Sequence, residues 1–213
     1  MALAHNLGFP HGTDSRRSEL CTEQLFAQIG AQLVDEVEGK QIKPRLIGPL
    51  TYLWQGKVRG DCDKLELLED LLPLYGQLLQ RLSEQGVEWV QLDEPILTLD
   101  LPQEWKNAFE RAYNLLQKEP VQKLIATHSA DLGGNLGLAV SLPVDGLHID
   151  RVSSPEQLSS ILDRLPSYKV LSLGTDPSDD QGLTQALLCE AHVRLGSRLW
   201  LATLTEVTQQ LAA

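Results

Sequence analysis

Basic side chains are the scarce charge in this sequence: 18 Lys and Arg stand against 29 Asp and Glu, a net charge of −11. A field of that sign repels phosphate backbones and anionic lipid, which excludes a non-specific nucleic-acid or membrane-surface binder. Cysteine is scarce as well. Three residues, Cys21, Cys62 and Cys189, are odd in number and far apart in a chain of 213, so no disulfide framework is expected. We read them as small core residues. No apolar run approaches the roughly 20 residues that span a bilayer. Residues 1–12 lack the basic start and long apolar stretch of a signal peptide. Low-complexity tracts, short repeats, G-x-G-x-x-G, P-loop and G-x-S-x-G motifs are all missing, which weighs against nucleotide binding and serine-hydrolase chemistry. The expectation is a soluble, cytoplasmic protein. Its apolar share of 42 % is ordinary globular usage and argues against disorder.

What the sequence does contain is alternation. Short apolar runs at Asn6–Phe9, Pro44–Ile47, Trp89–Leu92, Lys123–Thr127, Gly146–Asp150, Val170–Leu173 and Leu199–Ala202 have the brevity and apolar content of parallel strands covered on both faces. Helical spacing separates them. Phe26, Ile29, Leu33 and Val37 mark one helix that stops at Gly39. Asp63 and Glu66 open another, carrying Leu65, Leu68, Leu72, Leu79 and Leu82 to Gly86, with Pro73 expected to kink or divide it. Trp105, Phe109, Ala112 and Leu116 mark a third. Ser154 and Pro155 start a fourth, and Leu183, Leu187 and Ala191 lie on a fifth. No linker interrupts the series, so residues 1–213 read as one α/β domain with a parallel sheet and right-handed crossovers. Its length lies near the lower end of the roughly 200 to 400 residues of (β/α)₈ barrels.

Ligands of parallel α/β folds meet the carboxyl ends of the strands. There the sequence places Asp93 and Glu94, His128 and Asp150, three carboxylates and an imidazole that could converge to bind an amine or exchange protons. Asp93-Glu94-Pro95 also reads as a strand end entering a turn, because proline disfavours helical geometry in the residue before it. His128 also reads as a hydrogen-bonded loop residue. His148 shares strand parity with Asp150, so both face the same side. Arg16 and Arg17 form a basic pair able to clamp a carboxylate-rich ligand. A catalytic zinc needs about three Cys, His, Asp or Glu ligands; the strand ends offer no cysteine, so no metal site is expected.

Leu7-Gly8-Phe9-Pro10, the run from Lys43-Pro44-Arg45-Leu46-Ile47-Gly48-Pro49 to Trp54, and Glu88-Trp89-Val90-Gln91-Leu92-Asp93-Glu94-Pro95 resemble the N-terminal barrel of cobalamin-independent methionine synthase. Pro143-Val144-Asp145-Gly146-Leu147-His148-Ile149-Asp150 and Leu171-Ser172-Leu173-Gly174 continue the likeness in order, from about residue 5 to about residue 202. The resemblance implies a TIM-barrel-like fold from a family of two fused barrels. That family moves a methyl group from 5-methyltetrahydropteroyl-polyglutamate to homocysteine. Zinc in the C-terminal barrel activates the thiol, and basic residues of the N-terminal barrel face the polyglutamate tail.

The departures from the family set the functional expectations. Ala126-Thr127-His128-Ser129-Ala130 and Leu201-Ala202-Thr203-Leu204 stand where the zinc-bearing half has its ligands, so the family zinc is not inherited by these residues. The family's Arg-Glu-Leu-Lys segment corresponds to Arg17 and Glu19 across an inserted Ser18, with Cys21 at the lysine position. This makes Arg16, Arg17 and Glu19 the substrate-binding candidates. The second family strand has no counterpart between Arg17 and Gly39, which reads as one helix. The expected fold is therefore an incomplete (β/α) barrel of seven parallel strands. Four functions remain open: a barrel working with a separate zinc-bearing barrel chain in methionine synthesis, a non-catalytic folate-polyglutamate or small-anion binding module, an enzyme that redeploys Asp93, Glu94, His128 and Asp150, and an inactive remnant.

Overall fold

A computed structural model describes residues 43–57, 63–127, 131–149, 155–175 and 182–203. The strand reading at Asn6–Phe9, the helix reading at Phe26–Val37 and the cysteines Cys21 and Cys62 lie outside the described residues.

The chain enters with β1 (Arg45–Ile47), turns at Gly48 and forms α1 (Pro49–Gln55) with proline at its first helical position. Asp63 accepts from the Leu65 amide and starts a 3₁₀ turn at Lys64–Leu67, which leads into α2 (Leu68–Glu84). Pro73 does not divide this helix, which runs unbroken from Leu68 to Glu84. The proline lies in the second turn and on the exposed side; Glu69, in the first turn, is exposed too, so its carbonyl, which loses its amide partner, turns to water. The change of winding comes earlier, at Leu67. Leu68, Leu72, Tyr75, Leu78, Leu79 and Leu82 form the buried stripe. Gly86, at φ 85°, ends the helix: its amide reaches the Ser83 carbonyl and that of Val87 reaches Leu82.

β2 (Trp89–Asp93), α3 (Gln103–Leu116), β3 (Gln122–Thr127) and the short α4 (Leu136–Ser141) follow. Then come β4 (Gly146–Ile149), α5 (Pro155–Arg164), β5 (Val170–Thr175), α6 (Gly182–Leu195) and β6 (Leu199–Thr203). Each described strand overlaps its predicted run. Cys189 is exposed on α6 rather than buried, because Ala191 and Leu195 turn the other side of that helix inward.

The six described strands form a parallel sheet in the order β1-β2-β3-β4-β5-β6, and the sheet is not closed. A strand order that never reverses, with right-handed crossovers, sends every helix to the same face. A doubly wound sheet would reverse at a switch point. The register confirms the division. Leu46, Leu92, Ile125, Leu147, Leu171 and Leu199 stand side by side and join the hydrophobic core under the helices. Residues of the opposite parity face the concave side. Trp89 of β2 and Trp200 of β6 meet there edge to face with ring centroids 4.7 Å apart. Four strand spacings of a flat sheet would separate them by about 19 Å. The sheet is curled like a barrel wall. The fold is an incomplete TIM-barrel-like α/β architecture.

Two lysines lie in the core. Lys169 donates to the carbonyls of Val140 and Leu142, ending α4, and Lys123 donates to those of Glu119 and Val121. Burial lowers both amines, Lys169 to about 8. No helix among the described residues is long and apolar enough to cross a membrane.

Candidate functional site

The concave face carries a layer in register: Ile47, Asp93, Ala126, His148, Ser172 and Trp200, with Arg45 and Gln91 one step below on β1 and β2. Barrel interiors are filled mostly by branched apolar residues, so this number of polar side chains departs from what packing needs. Arg45 Nη2 and Asp93 Oδ2 pair at 2.8 Å, and Gln91 Nε2 donates to Asp93 Oδ1 at 2.7 Å. The pair is only partly shielded, with 32 % of the Arg45 side chain and 19 % of the Asp93 side chain exposed. Farther along the wall, His148 Nδ1 and Ser172 Oγ share a hydrogen bond of 2.8 Å, both residues buried. Ala126, between Asp93 and His148 in the register, offers only a methyl group. Trp89 opens β2 and Asp93 closes it, so Asp93 sits at the carboxyl end of its strand, the side where a barrel mouth opens.

Glu94, the next residue after β2, goes the other way. It is 0 % exposed and its carboxylate is surrounded by donors. The Leu50 amide reaches Oε1 at 3.1 Å, and the Thr51 amide and hydroxyl reach Oε2 at 2.8 and 2.6 Å. The Tyr113 hydroxyl of α3 donates to Oε1 at 2.9 Å. Leu50 and Thr51 are the second and third residues of α1, whose own N-cap, Gly48, has no side chain to offer. Glu94 thus caps a helix that begins 45 residues before it (94 − 49), supplying the acceptor that a Ser or Asp would normally give. Glycine at 48 is required for this approach: a Cβ there would lie 2.2 Å from Glu94 Cδ. Tyr75 of α2 completes the cluster by donating to the Ile47 carbonyl at 2.6 Å.

Burial raises the Glu94 carboxyl to about 7, against the pull of the four donors, which favour its charge. Burial, then the Glu94 charge, raises Tyr75 and Tyr113 well above the usual phenol range.

Asp93 and Glu94 are therefore adjacent in sequence but serve different surroundings, one on the concave wall and one behind it. His128 and Asp150 lie outside the described residues, as do Arg16, Arg17 and Glu19. Among the described residues no three His, Cys, Asp or Glu side chains stand together to hold a metal. Asp93 is engaged by Arg45, Glu94 by four donors, and Cys189 is far out on a helix, so the described residues do not fit the family zinc. Sequence reasoning missed Arg45, Gln91 and Ser172 as wall residues, although the period-2 alternation within β1, β2 and β5 carried that signal. It also missed Thr51 and Tyr113. The visible hint was a Gly-Pro helix start with no capping side chain of its own.

Residues 8–175 match the family described as cobalamin-independent synthase, N-terminal domain. Among solved structures the chain is similar to a B12-independent methionine synthase from Shewanella sp. W3-18-1 in complex with selenomethionine, at 14 % identity and a TM-score of 0.63. The match covers 84 % of this chain and 58 % of that one, so the chain spans little more than half the length of this relative. At that identity the likeness is one of fold. The spore cortex-lytic enzyme SleL of Bacillus megaterium QM B1551 matches at 13 % identity over 64 % of this chain and 41 % of that one. Its TM-score of 0.35 is too low to relate the folds.

Proposed function

Because the chain belongs to the cobalamin-independent synthase N-terminal domain family, we propose that it serves methionine synthesis as a barrel unit in methyl transfer from 5-methyltetrahydropteroyl-polyglutamate to homocysteine. The observation that carries this is the family match over residues 8–175, together with the open barrel wall on which the family's motifs lie. Residues 1–213 are taken as one such unit, working in the cytoplasm. Zinc activation of the thiol is assigned to a zinc-bearing barrel of the family's C-terminal kind, for which a separate chain is one source. Arg16, Arg17 and Glu19 are the proposed contacts to the polyglutamate tail. Of the candidates Asp93, Glu94, His128 and Asp150, Asp93 is suited to present a charge to a ligand at the mouth, and Glu94, enclosed behind the wall, to position the α1 turn. Methyl transfer measured with a zinc-barrel partner, with and without this chain, tests the assignment. Stimulation with association supports it, and neither stimulation nor association rejects it.

One observation favours a second reading. Asp93 is matched by Arg45 and Glu94 is sealed by four donors, so both carboxylates are engaged within the protein rather than placed to exchange protons with a substrate. A non-catalytic module for folate polyglutamate or another small anion would need no more. Calorimetry with a triglutamyl folate at low salt separates the two, with Arg17→Ala as the control. Tight binding lost in R17A, without any stimulation of methyl transfer, selects the binding module.

A further inference from the structure

Three stretches that leave the sheet at the carboxyl ends of its strands are joined by two buried side-chain amides. The first follows Asp93 and Glu94 and forms a 3₁₀ turn at Pro95–Thr98. The second follows β3, whose next residue in sequence is His128, and includes a 3₁₀ turn at Gly133–Asn135. The third is the first turn of α5, which follows β4 and Asp150. Asn135, 2 % exposed, donates from Nδ2 to the Leu97 carbonyl at 2.9 Å and to the Leu99 carbonyl at 2.6 Å. Its backbone amide donates to the Leu132 carbonyl at 2.9 Å, and the Leu132 amide donates to Oε1 of the buried Gln157 at 2.7 Å. A continuous run of hydrogen bonds thus crosses from the stretch after β2 to the helix after β4.

The Asn135 amide can sit only one way round. The Leu97 and Leu99 carbonyls accept and cannot donate, so the nitrogen must face them. Oδ1 is then left buried without a hydrogen-bond partner. The bonds gained and the oxygen left unpaired are opposite in sign and similar in size, so this side chain fixes the two turns against each other more than it stabilises the fold. We propose that Asn135 and Gln157 are positioning residues of the mouth: their side-chain amides hold the stretches after β2 and β3 and the first turn of α5 as one body, the frame from which Asp93, His128 and Asp150 are presented, an assignment that rests on reading those three as the mouth candidates.

Binding groups on loops need a rigid scaffold to place them. A ligand that reaches more than one of these stretches meets a frame already ordered, and the cost of immobilising loops on binding is avoided. Glu94 gives the same kind of support one strand earlier by joining the end of β2 to α1. The frame therefore runs from the turn after β1 to the helix after β4, with the Arg45–Asp93 pair inside it.

Amide hydrogen exchange compares the natural protein with Asn135→Leu, which keeps the shape and removes the amide. Losing the two bonds should speed exchange at Leu97 and Leu99 roughly tenfold beyond any change at Phe109 in the middle of α3. Gln157→Ala, which keeps the test available if N135L does not fold, should also speed Leu97 and Leu99, although Gln157 touches neither. Unchanged exchange there in Q157A overturns the single body, and equal acceleration at Phe109 in both variants overturns positioning in favour of general loosening. Calorimetry with triglutamyl folate tests the consequence. Where the natural protein binds, N135L or Q157A should bind about tenfold more weakly, and equal affinity overturns the role at the mouth. No binding by the natural protein counts against the mouth reading itself, and the exchange rates still decide whether the three stretches form one body.

Discussion

Replacing Gly48 with alanine probes the contact between the first described turn and Glu94 with a single methyl group. The added Cβ would lie 2.2 Å from both Glu94 Cδ and Oε1 and 2.4 Å from Cγ. Ordinary carbon contacts begin near 3.5 Å, so the side chain must retreat by more than an ångström. It cannot do so freely, because its two oxygens are held by four donors at 2.6 to 3.1 Å. Overpacking of a filled interior costs about 1–3 kcal/mol. Pulling the carboxyl from two of its donors leaves buried polar groups unpaired at about 1–3 kcal/mol more. The expected loss is about 3–5 kcal/mol, a large part of the roughly 5–15 kcal/mol that keeps a domain folded. For a chain of this size it lowers Tm by roughly 6–20 °C. Urea unfolding followed by circular dichroism should show a lower midpoint at unchanged slope. The double variant Gly48→Ala/Glu94→Ala should be little worse than Glu94→Ala alone, since the methyl then has room. A loss below about 1 kcal/mol in G48A, or full additivity in the double variant, would refute the contact as described.

Other consequences are open to measurement. Tyr113→Phe removes a donor that favours the Glu94 charge, so it should cost about 1–2 kcal/mol and move the Glu94 titration midpoint upward; a downward shift by NMR would contradict the network. Lys169 is held at about 8, below its ordinary 10.5. A depressed amine adds stability that is complete above 10.5 and is lost as pH falls through 8. The difference in unfolding free energy between the natural protein and Lys169→Met should therefore grow from pH 8 to 10.5, and a constant difference would exclude the buried amine as its source. A double-mutant cycle over Trp89→Ala and Trp200→Ala should return a coupling of about 1 kcal/mol; zero coupling in urea unfolding would mean that the rings do not hold the curl.

The strands were legible because each is a short apolar run bounded by proline, glycine or charge, and parallel strands covered by helices need little else. β3 and β4 coincide with their predicted runs to within one residue. The barrel type was legible from the ordered family motifs rather than from periodicity, which does not say in which order strands pair. Glu94 was visible only as an acidic residue before a proline. Its destination depends on an amide 44 residues back and a hydroxyl 19 residues ahead, and no local pattern encodes such a meeting. Lys123 and Lys169 were similarly hidden, since a lysine at a strand end is ordinarily solvated. Their burial depends on carbonyls left over at the ends of helices and loops.

The sequential strand order has a kinetic meaning. Each described strand bonds only to its neighbours in the chain, so βα units can be added one after another as the polypeptide emerges. The Trp89–Trp200 contact breaks that locality, joining residues 111 apart (200 − 89). A nascent chain can lay down the first five of the described strands before the second ring is available. The ring contact that spans the curled wall is thus made late, and a chain truncated before Trp200 would retain its neighbour-by-neighbour pairing while losing the tie across it.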